Sequence, residues 1–540
     1  PSASKTEMGH IFPLSFQSRN TAAPKGNAPK NSTVQGRHTN RYRSTSRGYS
    51  LGRCRNPVPR AVLINPPVYD FALYDLFLQP YGLLRIGTWL ARCGWEVRYV
   101  NCLDYTDPAS SAALGKPKRR PDGTGKFHRR PVPAPAGVEE MKRRYARYGI
   151  LEEAVREQLR PAVEAVFITT GMTYWYPGLI EVVRTVRELH PEVPVFAGGM
   201  YATLMPEHLR AHSDVDYIVT GDAWEGGAAV KGVDVEENAV RSDGSSRQIN
   251  TTGSEGHLQK ILQELGLPAE AAPVHYPEST AAEALYAGDS ASPPDTAAVL
   301  ELNRGCPFSC TYCASKKLCP GFRPGNPAAA LHYFRGLYCR GVRNFAFYDD
   351  ALLYKKEEVL FPFLREIIDG GYNARFYTPN AVHLRYIDEK TAQLMQKAGF
   401  CEVRMGFESA DAGFHREYDV KFSLQSFAGR IRALKAAGFT AEQLRVYILA
   451  GLPGQRAEEV EASVRYAHEA GVRVMLARYS PVPGTALWRE SVARSRYPID
   501  EEPLFHNNTF FSMEWEGFTR EDLQRLQDLT VGLNGSLHSL

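Results

Sequence analysis

From position 61 onward, short apolar runs alternate with stretches whose apolar residues recur every three or four positions. Residues 61–64 read as a buried strand that stops at Asn65-Pro66-Pro67. Leu83, Ile86, Leu90 and Cys93 then follow at helical spacing until Gly94 ends the helix, and 96–100 form a second strand. A basic, proline-rich insertion occupies about 105–149. Alternation resumes with a strand at 165–169, a helix carrying Leu179, Val182, Val183, Val186 and Leu189, and strands at 195–197 and 217–219. Strand–helix alternation of this kind predicts a doubly wound, Rossmann-like α/β domain of about five parallel strands over 59–225. Its ligand loops are expected at the carboxyl ends of the strands.

Residues 226–296 are rich in Gly, Ser, Thr and Asn, and read as a linker with one helix near 258–265. Six further strand–helix units start at 298–302, 344–348, 375–377, 402–405, 445–449 and 472–477. They predict a partial (β/α)6 barrel over 297–490, with its active mouth at the strand carboxyl ends and a C-terminal extension over 491–540.

At 540 residues the chain is long enough for two or three cores. Its net charge of +4 is unevenly placed: residues 1–60 hold eleven Lys or Arg against Glu7 alone, which leaves the remainder at −6. A slightly acidic body argues against a broad nucleic-acid face. The segment 1–58, basic and poor in apolar periodicity, reads as disordered, with an organellar transit segment as the alternative. No run of eighteen apolar residues occurs, so no membrane span is expected. Nine cysteines, three of them within eight positions, are unlike a secreted disulfide framework and imply a reducing, cytoplasmic setting.

Those three, Cys306, Cys310 and Cys313, lie in a loop that follows the first barrel strand. Three thiolates can hold a [4Fe-4S] cubane and leave one iron open to a small chelating molecule. The alternative is a zinc knuckle, which needs a fourth ligand such as Cys319 or a distant histidine. Cys319, Cys339 and Cys401 read otherwise as small buried residues.

The Cys-x3-Cys-x2-Cys spacing, with Tyr312 before the last cysteine, resembles the loop of the radical S-adenosylmethionine (SAM) superfamily. The resemblance continues over 297–490 through Tyr348-Asp349-Asp350, Asn380, Glu408-Ser409 and Gly451, each after a successive strand. It implies that Cys306, Cys310 and Cys313 hold the cluster and that Asp349 and Asp350 lie near the methionyl ammonium. It places Glu408 and Ser409 near the ribose or carboxylate, and Leu449 to Gly451 along the adenine, with Tyr312, Tyr348 and Asn380 also at the cofactor. Taken singly, a paired Asp is often a helix cap and a Gly-Pro run a tight turn.

The first domain resembles the cobalamin-binding module that precedes the barrel in one branch of that superfamily. The residues concerned are Thr170, Met172 and Thr173 after the third strand, Gly198, Gly199 and Thr203 after the fourth, and Gly221 after the fifth. The Asp-x-His-x-x-Gly motif that supplies histidine to cobalt is missing. Tyr174, Trp175 and Tyr176 read as either a corrin contact or core packing. Lys126 to His128 read as a solvated loop, and His506, Asn507 and Asn508 as a surface loop.

By resemblance the chain would cleave SAM reductively to a 5′-deoxyadenosyl radical and methylate an unactivated carbon of a small-molecule or peptide substrate. A flavodoxin or ferredoxin would supply the electrons. The alternatives are ring formation, rearrangement or oxidation with a relic first domain, and a non-catalytic iron–sulfur or zinc module.

Overall fold

The computed structural model describes residues 58–138, 143–222, 247–249, 257–272, 274, 276–277, 297–419 and 426–537. The basic N-terminal segment, and most of the stretch read as a linker, lie outside them. Val58–Leu540 forms one compact unit.

Strands β1 (Arg60–Asn65), β2 (Glu96–Asn101), β3 (Ala165–Thr170), β4 (Val195–Gly199), β5 (Tyr217–Val219) and β6 (Arg247–Ile249) build a parallel sheet ordered β2-β1-β3-β4-β5-β6. Apolar residues on both sides of β1 explain its burial. Val62 and Ile64 join Leu179, Val182 and Val186 of helix α2 (Tyr176–Leu189) on one face. Ala61 and Leu63 join Leu83, Trp89 and Leu90 of α1 (Tyr81–Arg92) on the other. Helix α3 (His257–Glu264), expected from its periodicity, adds Leu258, Ile261 and Leu262 to that second face. The sixth strand, β6, falls where a linker was expected. Three residues on a sheet edge are too few to carry a periodic signal.

The second sheet runs in sequential order, all parallel: β7 (Ala297–Leu300), β8 (Asn344–Phe347), β9 (Arg375–Tyr377), β10 (Phe400–Glu408), β11 (Leu444–Ala450) and β12 (Arg473–Arg478). This is the expected partial barrel. Along β10 the residues Val403, Met405 and Phe407 join the core shared with the surrounding helices. Residues of the other parity are polar and interlocked: Glu402 accepts from Arg404 Nε and Arg445 Nε at 2.5 Å, and Arg404 Nη1 donates to the Tyr447 hydroxyl at 2.9 Å. Such alternation is what a barrel strand with one wall on helices requires.

An open barrel leaves two strand edges with unpaired backbone groups. Both are terminated by a side-chain amide. On β7, Gln79 donates to the Ala297 carbonyl at 2.8 Å and accepts from Val299 N at 3.2 Å. On β12, Asn534 of helix α4 (Arg520–Ser536) donates to the Val474 carbonyl at 2.8 Å and accepts from Val474 N at 2.9 Å. Beside Gln79, Phe77 packs with Ala297, Ala346 and Tyr377, its ring 4.9 Å from that of Tyr377. The two sheets are thereby locked together.

The insertion is built rather than loose. Val68–Asp70, Arg129–Pro131 and Ala146–Tyr148 form a small antiparallel sheet. Phe127 and His128 within it are buried, against the expectation of a solvated loop, because Phe127 packs with Val68, Tyr148 and Trp175. No helix among the described residues is long and apolar enough to cross a membrane.

Candidate functional site

The cysteine loop leaves the barrel through a short hairpin, Asn303–Gly305 against Phe322–Pro324. Gly305 has φ +71°, and a Cβ there would meet the Gly321 carbonyl at 2.1 Å, so the turn into Cys306 requires glycine. Asp349 braces the hairpin from below: its carboxylate accepts from Leu302 N at 2.9 Å, Asn303 N at 2.6 Å and Asn303 Nδ2 at 3.1 Å. Burial raises its pKa to about 7, with the backbone bonds opposing. Farther along, Thr311 N donates to the Tyr418 carbonyl at 2.8 Å and Leu487 N to the Thr311 carbonyl at 3.1 Å.

Cys306 and Cys310 are buried and Cys313 is exposed. The Cys313 sulfur is hydrogen-bonded by Ser315, at 3.2 Å from the hydroxyl and 3.5 Å from the amide. Ser315 also bonds the carboxylate of Asp350, whose pKa burial pushes up. Among the described residues no group of three His, Cys, Asp or Glu side chains is placed to hold a single metal ion.

Strand β10 ends beside this loop in a distorted turn. The register with β11 slips between Gly406 and Glu408, and Glu408 adopts φ +67°. A non-glycine residue held there at a bulge is costly and typical of functional sites. Burial first, then the charges of Glu408, Asp419 and Cys310, hold the Tyr312 hydroxyl far above its ordinary pKa. Tyr312 donates to Asp419 at 3.1 Å, and Asp419 accepts from His415 Nδ1 at 3.1 Å, while His415 Nε2 donates to the Ser409 carbonyl at 2.8 Å. His415 and Asp419 escaped the sequence reading; their i, i+4 spacing was the available signal. Ser409 is buried, its hydroxyl taken by Asp411 N at 3.0 Å. Leu449 and Tyr312 pack on one apolar cluster with Phe414, Leu452 and Met513. Gly451, at φ +95°, is fixed by Gln455, which accepts from its amide at 2.8 Å.

Between the two sheets lies an open cleft with about 1350 Å³ of empty space, its mouth included. The first-sheet wall consists of Asn65, Pro66, Pro67, Thr169, Thr170, Gly171, Trp175, Gly199, Met200, Thr203 and Gly221, none of them charged. The facing wall carries Glu301, Arg304, Cys319, Tyr348, Asp350 and Asn380. Arg304 is paired with Asp222 at 2.8 Å. Cys319 is buried, with Arg323 Nη2 at 3.0 Å, and burial pushes its thiol up to about 12. Cys401 is half-buried, whereas Cys339, expected to be buried, is exposed at the end of its helix.

Four residues expected on the first-sheet wall, Thr170, Gly199, Thr203 and Gly221, line the cleft. Thr203 Oγ1 also ties two of its loops, accepting from Gly221 N at 2.9 Å and donating to the Gly199 carbonyl at 2.8 Å. Gly198 sits within β4 and Met172 is exposed; neither lines the cleft. Thr173 turns away and bonds His506 Nδ1 at 2.8 Å. His506 and Asn507 are buried, contrary to a surface loop: His506 Nε2 donates to the Ile499 carbonyl at 2.6 Å, and Asn507 donates to Asp70 at 2.8 Å. Asp70 also accepts from Trp175 Nε1 at 2.8 Å, so the C-terminal extension holds the loop after β3. The sequence around 506 carries no apolar run to announce this.

Three loop-borne thiols follow the first strand of a parallel half-barrel, and the cleft lies beside their loop at Gly305. Residues 300–467 match the model of the Radical SAM superfamily. An uncharacterized methyltransferase of Pyrococcus horikoshii is 24% identical over 385 residues, spanning 67% of this chain and 73% of that protein. The anaerobic magnesium-protoporphyrin IX monomethyl ester cyclase of Rubrivivax gelatinosus is 23% identical over 360 residues, 63% of this chain and 60% of that one. The structure of TsrM, a radical S-adenosylmethionine methyltransferase from Kitasatospora setae with cobalamin and a [4Fe-4S] cluster bound, shares the fold with a TM-score of 0.55 over 89% of each chain at 14% identity.

Proposed function

We propose that the chain is a cobalamin-dependent radical SAM methyltransferase acting on an unactivated carbon. The observation that carries this reading is the pairing of an uncharged first-sheet wall with a charged wall beside the cysteine loop, across one cleft. A corrin is broad, with a neutral rim of amides, and suits the glycine and threonine wall; the charged groups of methionine suit the other. Cys306, Cys310 and Cys313 would hold the cluster, and Asp350, Glu408 and Asn380 would orient SAM. When bound, the cluster with SAM supplies a carbon radical and cobalamin supplies a transferable methyl group.

The protein's own part is to position and exclude. The Asp349 brace and the Ser315 bonds fix the cluster loop, and the Tyr312–Asp419–His415 chain fixes the end of β10. The C-terminal extension holds the loop that ends in Trp175. A flavodoxin or ferredoxin is the class of reductant that such a cluster requires. The test needs no substrate: anaerobic protein is loaded with hydroxocobalamin, reduced with titanium(III) citrate and given methyl-labelled SAM. Label should appear in methylcobalamin; a protein that retains corrin yet leaves it unlabelled contradicts methyl transfer.

A further inference from the structure

Two arginines of the cysteine hairpin share one carboxylate, and it comes from the opposite wall of the cleft. In the register of Asn303–Gly305 against Phe322–Pro324, Arg304 stands directly across from Arg323. Like charges so placed repel unless an anion sits with them. That anion is Asp222: its Oδ2 lies 2.8 Å from Arg304 Nη1 and 3.5 Å from Arg323 Nη2. Glu301 adds a weaker contact, 3.5 Å from Arg304 Nε. The Asp222 side chain is 4% exposed, against 20% and 30% for the two arginines. Neither atom of the 2.8 Å contact is aligned for a hydrogen bond, so charge rather than a directed bond holds it. Each end of this link is tied to a wall. Asp222 follows Gly221, whose amide donates to Thr203 Oγ1 at 2.9 Å, and Thr203 donates to the Gly199 carbonyl at 2.8 Å. Arg304 precedes Gly305 and Cys306, and Arg323 Nη2 donates to Cys319 Sγ at 3.0 Å.

We propose that Asp222 is a positioning residue that, as the shared counter-ion of Arg304 and Arg323, ties the first-sheet loops to the cysteine hairpin and fixes the separation of the two cofactors across the cleft. The inference rests on the cobalamin reading above. Asp222 is not among the residues that line the cleft, so it acts through Gly221 and Arg304, which are. The link therefore sets spacing and not occupancy. When Asp222 loses its charge the partly exposed arginines regain water, each wall keeps its own contacts, and the walls drift against each other.

The experiment uses anaerobically reconstituted full-length protein, loaded with hydroxocobalamin and reduced with dithionite so that the cluster and cob(II)alamin are both paramagnetic. Pulsed electron paramagnetic resonance measures how strongly the reduced cluster speeds the spin relaxation of cob(II)alamin, an enhancement that falls steeply with their separation. The variants are Asp222→Asn, Arg304→Gln and the two combined, with iron content, corrin titration and thermal melting as controls. Asp222→Asn should keep its iron and bind corrin within about twofold of wild type, while the enhancement loses its single value and spreads. A role in stability alone would lower the melting temperature and leave the enhancement as it is. Arg304→Gln should spread it likewise, and the combined variant no further than Asp222→Asn, because one link is being cut. An enhancement in Asp222→Asn identical to wild type, additive effects in the combined variant, or loss of iron in both single variants overturns the proposal. Wild type that binds no hydroxocobalamin refutes the cobalamin reading instead, and hydrogen exchange of the corrin-free protein then decides the link. Faster exchange at both 217–222 and 303–305 in Asp222→Asn supports it; unchanged exchange at either segment overturns it.

Discussion

The two walls of the cleft are built from different residue types. The first-sheet wall is made of glycine, threonine, proline, asparagine, methionine and tryptophan and bears no charge, whereas each charged lining residue (Glu301, Arg304, Asp350) comes from the barrel. On the reading proposed above, one wall would select by shape and the other by electrostatics. Substitutions should therefore separate into those that change a flat ligand's fit and those that change the binding of charges.

The largest effect is expected at the thiols. Alanine at Cys306, Cys310 or Cys313 should lower reconstituted iron well below about four per chain and abolish SAM cleavage, while corrin binding on the opposite wall persists; iron assay and absorbance titration read the two separately. Next is Gly199→Val. Gly199 has φ +90°, and a Cβ would meet Thr169 Oγ1 at 2.6 Å, so the loop must shift. Corrin affinity should fall tenfold or more with the cluster spectrum unchanged. Loss of iron instead would mean that the walls are not independent.

Asp349→Ala should cost about 1–3 kcal/mol by leaving buried backbone amides unpaired, seen as a lower melting temperature and weaker iron retention. A pH series sharpens the electrostatic wall. Glu301 titrates in the folded chain near 8, above its ordinary 4.5, because burial, then Asp349, Asp222 and Asp350, disfavour its charge, with Arg85 opposing. Its contribution to stability is thus complete below about 4.5 and is lost as pH rises through 8. Wild type should lose melting temperature progressively between about pH 5 and 8 relative to Glu301→Gln, and level off above 8. The smallest effect, about 0.5–1.5 kcal/mol, is expected for Asn534→Ala, which frees the β12 edge far from either wall.

Much of this was legible in the chain itself, and unevenly so. The strands announced themselves because parallel strands buried on both faces are continuous apolar runs, as in β1. The cysteine spacing is local, so the cluster loop needed no tertiary knowledge. What escaped depends on long-range partners. Asp349 reads as a cofactor ligand from its place after β8, yet its oxygens brace Leu302 and Asn303, some 46 residues earlier in the chain. Thr173 reads as a ligand contact until His506 closes on it from 333 residues away. The short edge strand β6 and the buried Phe127-His128 segment have no periodicity of their own.

The central claim is that the three thiols leave one cluster iron open and that SAM chelates it. Electron–nuclear double resonance on the reduced protein, with SAM carrying 15N in its amino group and 17O in its carboxylate, measures this directly. The account predicts resolved hyperfine coupling of both nuclei to the cluster spin. SAM bound with neither coupling, or a cluster that persists when any one of the three cysteines is replaced by alanine, would contradict it.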